Sequence, residues 1–232
     1  MIKGIADRVQ KVNRSIENAC KRSGRSPEEI KLIAVSKTFP LEVIRDAYDA
    51  GLRIFGENKA QELRDKAPQL PADIEWHFIG HLQSNKIKYA APVSTLIHSV
   101  DSYALAESLS TFAIKKEMQI PILIEVNTSG EISKFGVNPD DVLETFGRIR
   151  ELKNLNIQGL MTIGPLTSEE EQIRASFRML RSIREKLAGI AEQSEIATLS
   201  MGMSQDFEIA IEEGSTMIRV GTAIFGSRGG IK

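Results

Sequence analysis

Apolar residues recur along this chain with two periods, and stretches of the two periods alternate. Ile5, Val9, Val12, Ile16 and Cys20 are spaced by three and four, so the first twenty-odd residues predict an amphipathic helix. Ser26-Pro27-Glu28-Glu29 then offers an N-cap, a proline at N1 and a glutamate at N3, which predicts a short helical turn. Strand-like runs follow at 31–36, 52–55, 75–79, 96–100, 120–126, 157–162, 197–201 and 216–220. Helical patterns separate most of them. One covers 41–50 after Pro40, and another covers 102–117 with Asp101 as its cap. A third opens at Asn138-Pro139-Asp140-Asp141 and carries Val142, Phe146, Ile149 and Leu152 on one face. A fourth starts from Ser168 in a capping box and aligns Ile173, Phe177, Leu180, Ile183, Leu187 and Ile190.

Eight short strands alternating with helices imply parallel pairing, because most connections are long enough to hold a crossover helix. The predicted architecture is α/β, a (β/α)8 TIM barrel with an extra N-terminal helix, and an open doubly wound sheet is the alternative. No linker, repeat or low-complexity stretch divides the sequence, so residues 1–232 are expected to form a single domain.

Composition narrows the function classes. Lysine plus arginine number 30 and aspartate plus glutamate 31, and no basic stripe suggests a nucleic-acid surface. The single cysteine, Cys20, rules out a disulfide framework and fits a reducing cytoplasm. Charge enters the N-terminus too early for a secretory segment. No apolar stretch approaches the ~18 residues of a membrane helix. The expectation is a soluble cytoplasmic protein.

Candidate chemistry gathers where the predicted strands end. Lys37 closes the first strand, the position where α/β barrels keep their reactive groups, and a desolvated lysine there is a nucleophile toward aldehydes. Later strand ends carry Gly56-Glu57-Asn58-Lys59, Gly80-His81, Asn127-Thr128-Ser129-Gly130 and Thr162-Ile163-Gly164. Glycine lets backbone approach a ligand, and small polar side chains hydrogen-bond it. After strands seven and eight, Ser200-Met201-Gly202 and Gly221-Thr222 have the composition of an anion cradle, with Arg219 beside it. His77 and His81 are four apart, but the strand pattern and Gly80 oppose a helical metal pair, and no metal site is expected. His77 and His98 are read as core histidines, and Trp76 and Phe78 as barrel packing. Lys59, Lys86 and Lys134 lie on mouth loops, solvated or serving as secondary aldehyde acceptors.

Five blocks carry a family resemblance: Ala34-Val35-Ser36-Lys37-Thr38, Phe55-Gly56-Glu57-Asn58, the run 76–86, Leu199-Ser200-Met201-Gly202-Met203-Ser204, and the run 219–226. Together they resemble the pyridoxal-phosphate homeostasis protein family, itself similar to the N-terminal barrel of alanine racemase. The resemblance implies a fold-type III barrel holding pyridoxal 5′-phosphate as an aldimine on Lys37. It also implies a phosphate site at Ser200, Gly221 and Thr222, Arg219 toward the pyridine nitrogen, and Asn58 near the ring; Met201, next to Ser200 in the anion cradle, joins the cofactor-binding candidates, and His81, just past strand three, could sit near the cofactor. An arginine facing that nitrogen leaves it unprotonated and weakens the electron sink. Tyr48, Tyr89 and Tyr103 all fall in predicted helices, so the second acid–base group that racemisation needs is missing. The implied role is vitamin B6 homeostasis, buffering the aldehyde or passing it to apo-enzymes or salvage enzymes, with the protein a monomer. A weak racemase or lyase is the alternative.

Overall fold

A computed structural model of the chain describes residues 4–131, 134–190 and 196–226. Eight parallel strands close into a barrel in sequence order. They are β1 (Lys31–Val35), β2 (Ile54–Glu57), β3 (Glu75–Phe78), β4 (Leu96–Val100), β5 (Ile120–Glu125), β6 (Leu155–Met161), β7 (Thr198–Ser200) and β8 (Met217–Val220). Closure comes from β8 lying against β1, with Ile33 opposite Arg219 and Ala34 opposite Val220. The (β/α)8 prediction therefore holds and the open sheet does not.

Helices α1 (Ile5–Ser23), α2 (Leu41–Asp49), α3 (Ala60–Lys66), α4 (Ile87–Ala90), α5 (Tyr103–Lys115), α6 (Val142–Arg150), α7 (Glu170–Ala188), α8 (Phe207–Glu212) and α9 (Thr222–Phe225) surround the barrel. The extra helix α1 buries its five predicted apolar positions. It packs on α8 and α9, which are too short to cover the wall alone. Arg8 donates to the Ile224 carbonyl and Arg25 to those of Ile211 and Ser215, fixing α1 across that gap.

Alternation along the strands sorts the core into two shells. Trp76 and Phe78 point outward, buried in the large cluster between sheet and helices. Ile33, Leu96, Leu123, Met161 and Met217 point inward and fill the barrel with an apolar plug. Two residues further along these strands the inward positions turn polar: His98 follows Leu96, Glu125 follows Leu123, and Arg219 follows Met217. On β1 the same step leads from Ile33 through Val35 to Lys37.

Several predicted boundaries move for local reasons. Strand β2 starts two residues late because Leu52 belongs to the end of α2. Its N–H donates to the Ala47 carbonyl and that of Gly51 to Tyr48, with Gly51 at φ 99°, a Schellman cap. Ser102, not Asp101, caps α5 through its Oγ to the Leu105 N–H. The capping box at Ser168 does not form; α7 starts after Glu169, whose N–H donates to Thr167 Oγ1. Ile190 lies beyond the last turn of α7 and is 58 % exposed. No helix among the described residues is long and apolar enough to cross a membrane.

Candidate functional site

Lys37 occupies a turn that leaves β1 at the C-terminal mouth of the barrel, and it is half-buried. The ladder continues one residue past the strand, where Ser36 N–H donates to the Gly56 carbonyl at 3.0 Å, and Phe39 N–H closes the turn on Ser36 O at 3.1 Å. Thr38 sits at φ 68°. A β-branched side chain in the left-handed region is strained, and such strain concentrates at functional sites.

Inside the barrel a hydrogen-bonded chain ends at Arg219. Its Nη1 donates to Ser200 Oγ at 2.6 Å and its Nη2 to the Thr162 carbonyl at 2.8 Å. Ser200 Oγ lies 3.0 Å from His98 Nδ1, and His98 Nε2 lies 2.9 Å from His77 Nδ1. Guanidinium can only donate, so the Ser200 hydrogen goes to His98 Nδ1. The His98 ring proton then sits on Nε2 and is donated to His77 Nδ1. Burial keeps both rings neutral, holding His77 down to about 4 and His98 well below the ordinary imidazole range. The same burial lowers Arg219 to about 10, against the pull of Glu125 and Asp206, so it stays cationic at neutral pH. Glu125 is raised to about 7 by burial and by Asp101, with Arg219 opposing the rise.

At the start of α9 the predicted cradle residues meet a different serine from the expected one. Ser204 Oγ accepts from the N–H groups of Gly221 at 3.1 Å and Ala223 at 3.3 Å. Ser200 is fully buried, with its hydroxyl engaged by Arg219 and His98. Met201 is also fully buried, and its N–H belongs to the sheet, donating to the Met217 carbonyl. Thr222 is exposed at the first position of α9.

Asn58 continues the inward face of β2 beyond Gly56, and its Oδ1 is buried without a hydrogen-bond partner. Gly80 explains how β2 and β3 meet there: a Cβ on it would lie 2.3 Å from the Asn58 carbonyl oxygen. His81 stands at the rim, 3.1 Å from Asp101 through Nδ1 and stacked on Phe135 with centroids 3.7 Å apart. Lys134 is held by Glu131 at 2.7 Å and the Gly164 carbonyl at 3.0 Å. Lys59 is exposed, and Lys86 lies over the Tyr89 ring. A pocket of about 530 Å³ bordered by Asn127, Ser129, Lys134 and Met179 is lined by none of Lys37, Arg219 and Gly221. Among the described residues no three His, Cys, Asp or Glu side chains are grouped to hold a metal. Sequence reading did not single out Ser204 or Glu125 as candidate site residues. The period-two step from Leu123 to an inward glutamate was the available signal for the second.

Residues 10–229 match the family model described as alanine racemase, N-terminal domain. The pyridoxal phosphate homeostasis protein of Aquifex aeolicus is 45% identical over 225 residues, covering 96% of this chain and 97% of that protein. That of Escherichia coli strain K12 is 42% identical over 229 residues, covering 97% of each. PipY of Synechococcus elongatus, solved with PLP bound, superposes with a TM-score of 0.83 at 39% identity, over 96% of this chain and 100% of that one. An alanine racemase of Clostridium difficile shares the fold at a TM-score of 0.78 and 14% identity, over 99% of this chain and 58% of its own. The chain belongs to the pyridoxal phosphate homeostasis protein family, built on the N-terminal barrel of alanine racemase.

Proposed function

We propose that this protein binds pyridoxal 5′-phosphate in the barrel mouth, holds it as a Schiff base on Lys37, and serves vitamin B6 homeostasis in the cytoplasm. The observation that carries the reading is one mouth combining Lys37 on a strained turn, an arginine presented by a buried chain, and the Ser204–Gly221 cradle. Relatives of nearly full length bear the homeostasis name, and PipY holds PLP on the same fold.

The residues present fit the group. Ser204 takes two backbone N–H donors and keeps its own hydrogen to offer a phosphate, so Ser204, Gly221 and Thr222 would form the cradle, in place of Ser200 and Met201. Arg219 has used two of its five N–H groups and would turn another to the ring nitrogen. The orphaned Asn58 Oδ1 would face the ring, and His81 would border the opening with Asp101 and Phe135. When bound, the cofactor supplies a reactive aldehyde and an electron-withdrawing ring.

The protein acts as a carrier and not as an enzyme, releasing the cofactor to apo-enzymes or salvage enzymes, and it works as a monomer. Its relatives are named for homeostasis and not for a reaction. The three tyrosines lie on α2, α4 and α5 and are engaged there, Tyr48 by Asp73, Tyr89 by Arg64 and Lys88, and Tyr103 by Glu107 and Arg148, which disfavours a racemase or lyase. Borohydride reduction of the loaded protein followed by peptide mapping tests the reading. The expected adduct is on Lys37 and is lost in Lys37→Ala; an adduct carried mainly by Lys134 or another lysine refutes the assignment.

A further inference from the structure

We propose that Lys66, Glu57 and Glu62 form a positioning cluster that clamps the backbone on both sides of Lys37 and so aims its amine into the mouth. The purpose of the cluster rests on the cofactor reading above; its geometry does not. Glu57 is the outward residue between the inward Gly56 and Asn58. It therefore lies behind the barrel wall, facing α3, where Glu62 and Lys66 stand one turn apart.

Each neighbour of Lys37 is tied into this cluster. Ser36 Oγ donates to Glu57 Oε1 at 2.7 Å, and the Ser36 carbonyl accepts from Lys66 Nζ at 3.1 Å. Thr38 N–H donates to Glu62 Oε1 at 2.8 Å. Lys66 joins the two halves, 2.8 Å from Glu57 Oε1 and 2.6 Å from Glu62 Oε1. An ammonium has three hydrogens, and these three acceptors match them, so Lys66 is committed to the turn and is not a ligand group.

Two features favour a positioning role over a stabilising one. Glu57 is fully buried and its Oε2 has no hydrogen-bond partner, and a buried ion pair left incomplete in this way is poor value for stability alone. The second feature is where strain falls at the mouth. Three described residues other than glycine have positive φ; Glu117 and Asn154 precede β5 and β6 at the far end of the barrel, and only Thr38 lies at the mouth. Such a conformation persists where its surroundings over-determine it. Without the Glu62 acceptor, Thr38 is free to return to negative φ, which swings the Lys37 peptide. The amine must approach the face of the aldehyde carbonyl: its nitrogen forms a C=N bond to that carbon, and the carbonyl oxygen departs as water with the two amine hydrogens.

Glu62→Ala and Glu62→Gln in the full chain test this, since Glu62 is partly exposed and its loss is compatible with folding. Two rates are read: hydrogen exchange of the Thr38 amide without ligand, and formation of the borohydride-reducible Lys37 adduct with pyridoxal 5′-phosphate. Glu62→Ala is expected to speed the first and slow the second by about ten- to a hundredfold, the usual cost of misplacing a reacting group. Its preference for phosphorylated over unphosphorylated aldehyde should not change. Glu62→Gln, whose amide oxygen still accepts from Thr38 and Lys66, should restore both rates. Lys66→Met should act in the same direction as Glu62→Ala. Adduct formation at the wild-type rate in folded Glu62→Ala overturns the proposal, as does an unprotected Thr38 amide in the wild type. If the wild type forms no Lys37 adduct at all, the cofactor reading fails instead, and the exchange rates still decide whether the cluster holds the turn.

Discussion

Replacing Ser200 and Ser204 by alanine, one at a time, separates the buried chain from the anion cradle. In Ser200→Ala, Arg219 Nη1 loses its acceptor and His98 Nδ1 its donor, both in fully buried surroundings. A hydrogen bond to a charged group contributes about 1.5–3 kcal/mol, and leaving a buried polar group unpaired costs about 1–3 kcal/mol. Members of one chain do not add independently, so the combined loss should be near ~3 kcal/mol. For a protein of this size each kcal/mol moves Tm by about 2–4 °C, which puts the Ser200→Ala melt roughly 6–12 °C below wild type. Ser204 is only partly buried and caps a short helix, so its loss should cost about 0.5–2 kcal/mol of stability. Its effect should appear in binding. Losing one charge-assisted bond should cut the preference for pyridoxal 5′-phosphate over pyridoxal by about ten- to a hundredfold. Calorimetry of the ligand-free variants and titration with the two aldehydes give both numbers. A Ser200→Ala variant that melts like wild type but loses its phosphate preference would refute the assignment and return Ser200 to the cradle.

Glycine substitutions should differ sharply by site: Gly80→Ala forces a Cβ against the Asn58 backbone and should cost about 1–3 kcal/mol while loosening cofactor retention. Gly51→Ala meets nothing within 4 Å, so only its left-handed backbone is penalised, by about 1–2 kcal/mol, with retention unchanged in the titration. For pH, the raised Glu125 carboxyl keeps a proton in the folded state that the unfolded chain releases, so this contribution is complete below pH 4.5 and lost as pH rises through about 7. Glu125→Gln should therefore gain stability relative to wild type across that window, and a denaturation difference that is flat from pH 5 to 8 would contradict the assignment. His77 works in the opposite sense: with its pKa lowered to about 4, its contribution is complete above pH 6.5 and lost as pH falls through 4, so His77→Gln should narrow the acid-side loss seen by the same assay.

Local patterns carried the fold because each element depends mostly on its own residues. The helical stripe of α1 and the apolar runs of β4 and β5 could be read directly, and strand alternation already turned Trp76 and Phe78 toward packing. The errors occurred where one side chain answers to two elements. Leu52 is apolar because a Schellman cap buries it, and nothing in its own run distinguishes that from a strand. Asp101 has the composition of a cap, yet it pairs with His81 from another strand end, which leaves Ser102 to cap α5. Ser200 and Ser204 stand four residues apart with similar neighbours. Which of them meets Gly221 depends on β7 ending at Ser200 and the chain then turning over α9, a tertiary fact. The placement of Lys37 just past β1 and of Arg219 on the inward face of β8 was legible because strand ends and strand alternation fix both.

Retention and turnover place different demands on that mouth. Retention needs an amine, an anion cradle and a fixed donor for the ring, tasks that the proposed reading gives to Lys37, to Ser204 with Gly221, and to Arg219. Turnover needs in addition proton carriers on both faces of a substrate carbon. The phenols are engaged elsewhere: Tyr48 donates to Asp73, Tyr103 to Glu107, and Tyr89 lies beneath Arg64 and Lys88. The buried histidines hold one tautomeric direction behind Arg219, and their depressed pKa values keep them from taking up a proton near neutrality. Glu125 does titrate near neutrality, but it lies where its charge offsets that of Arg219. The polar interior thus fixes a cation in place and balances it. That arrangement is what the proposed carrier reading requires, since a fixed and balanced cation can hold a bound aldehyde without moving protons on it.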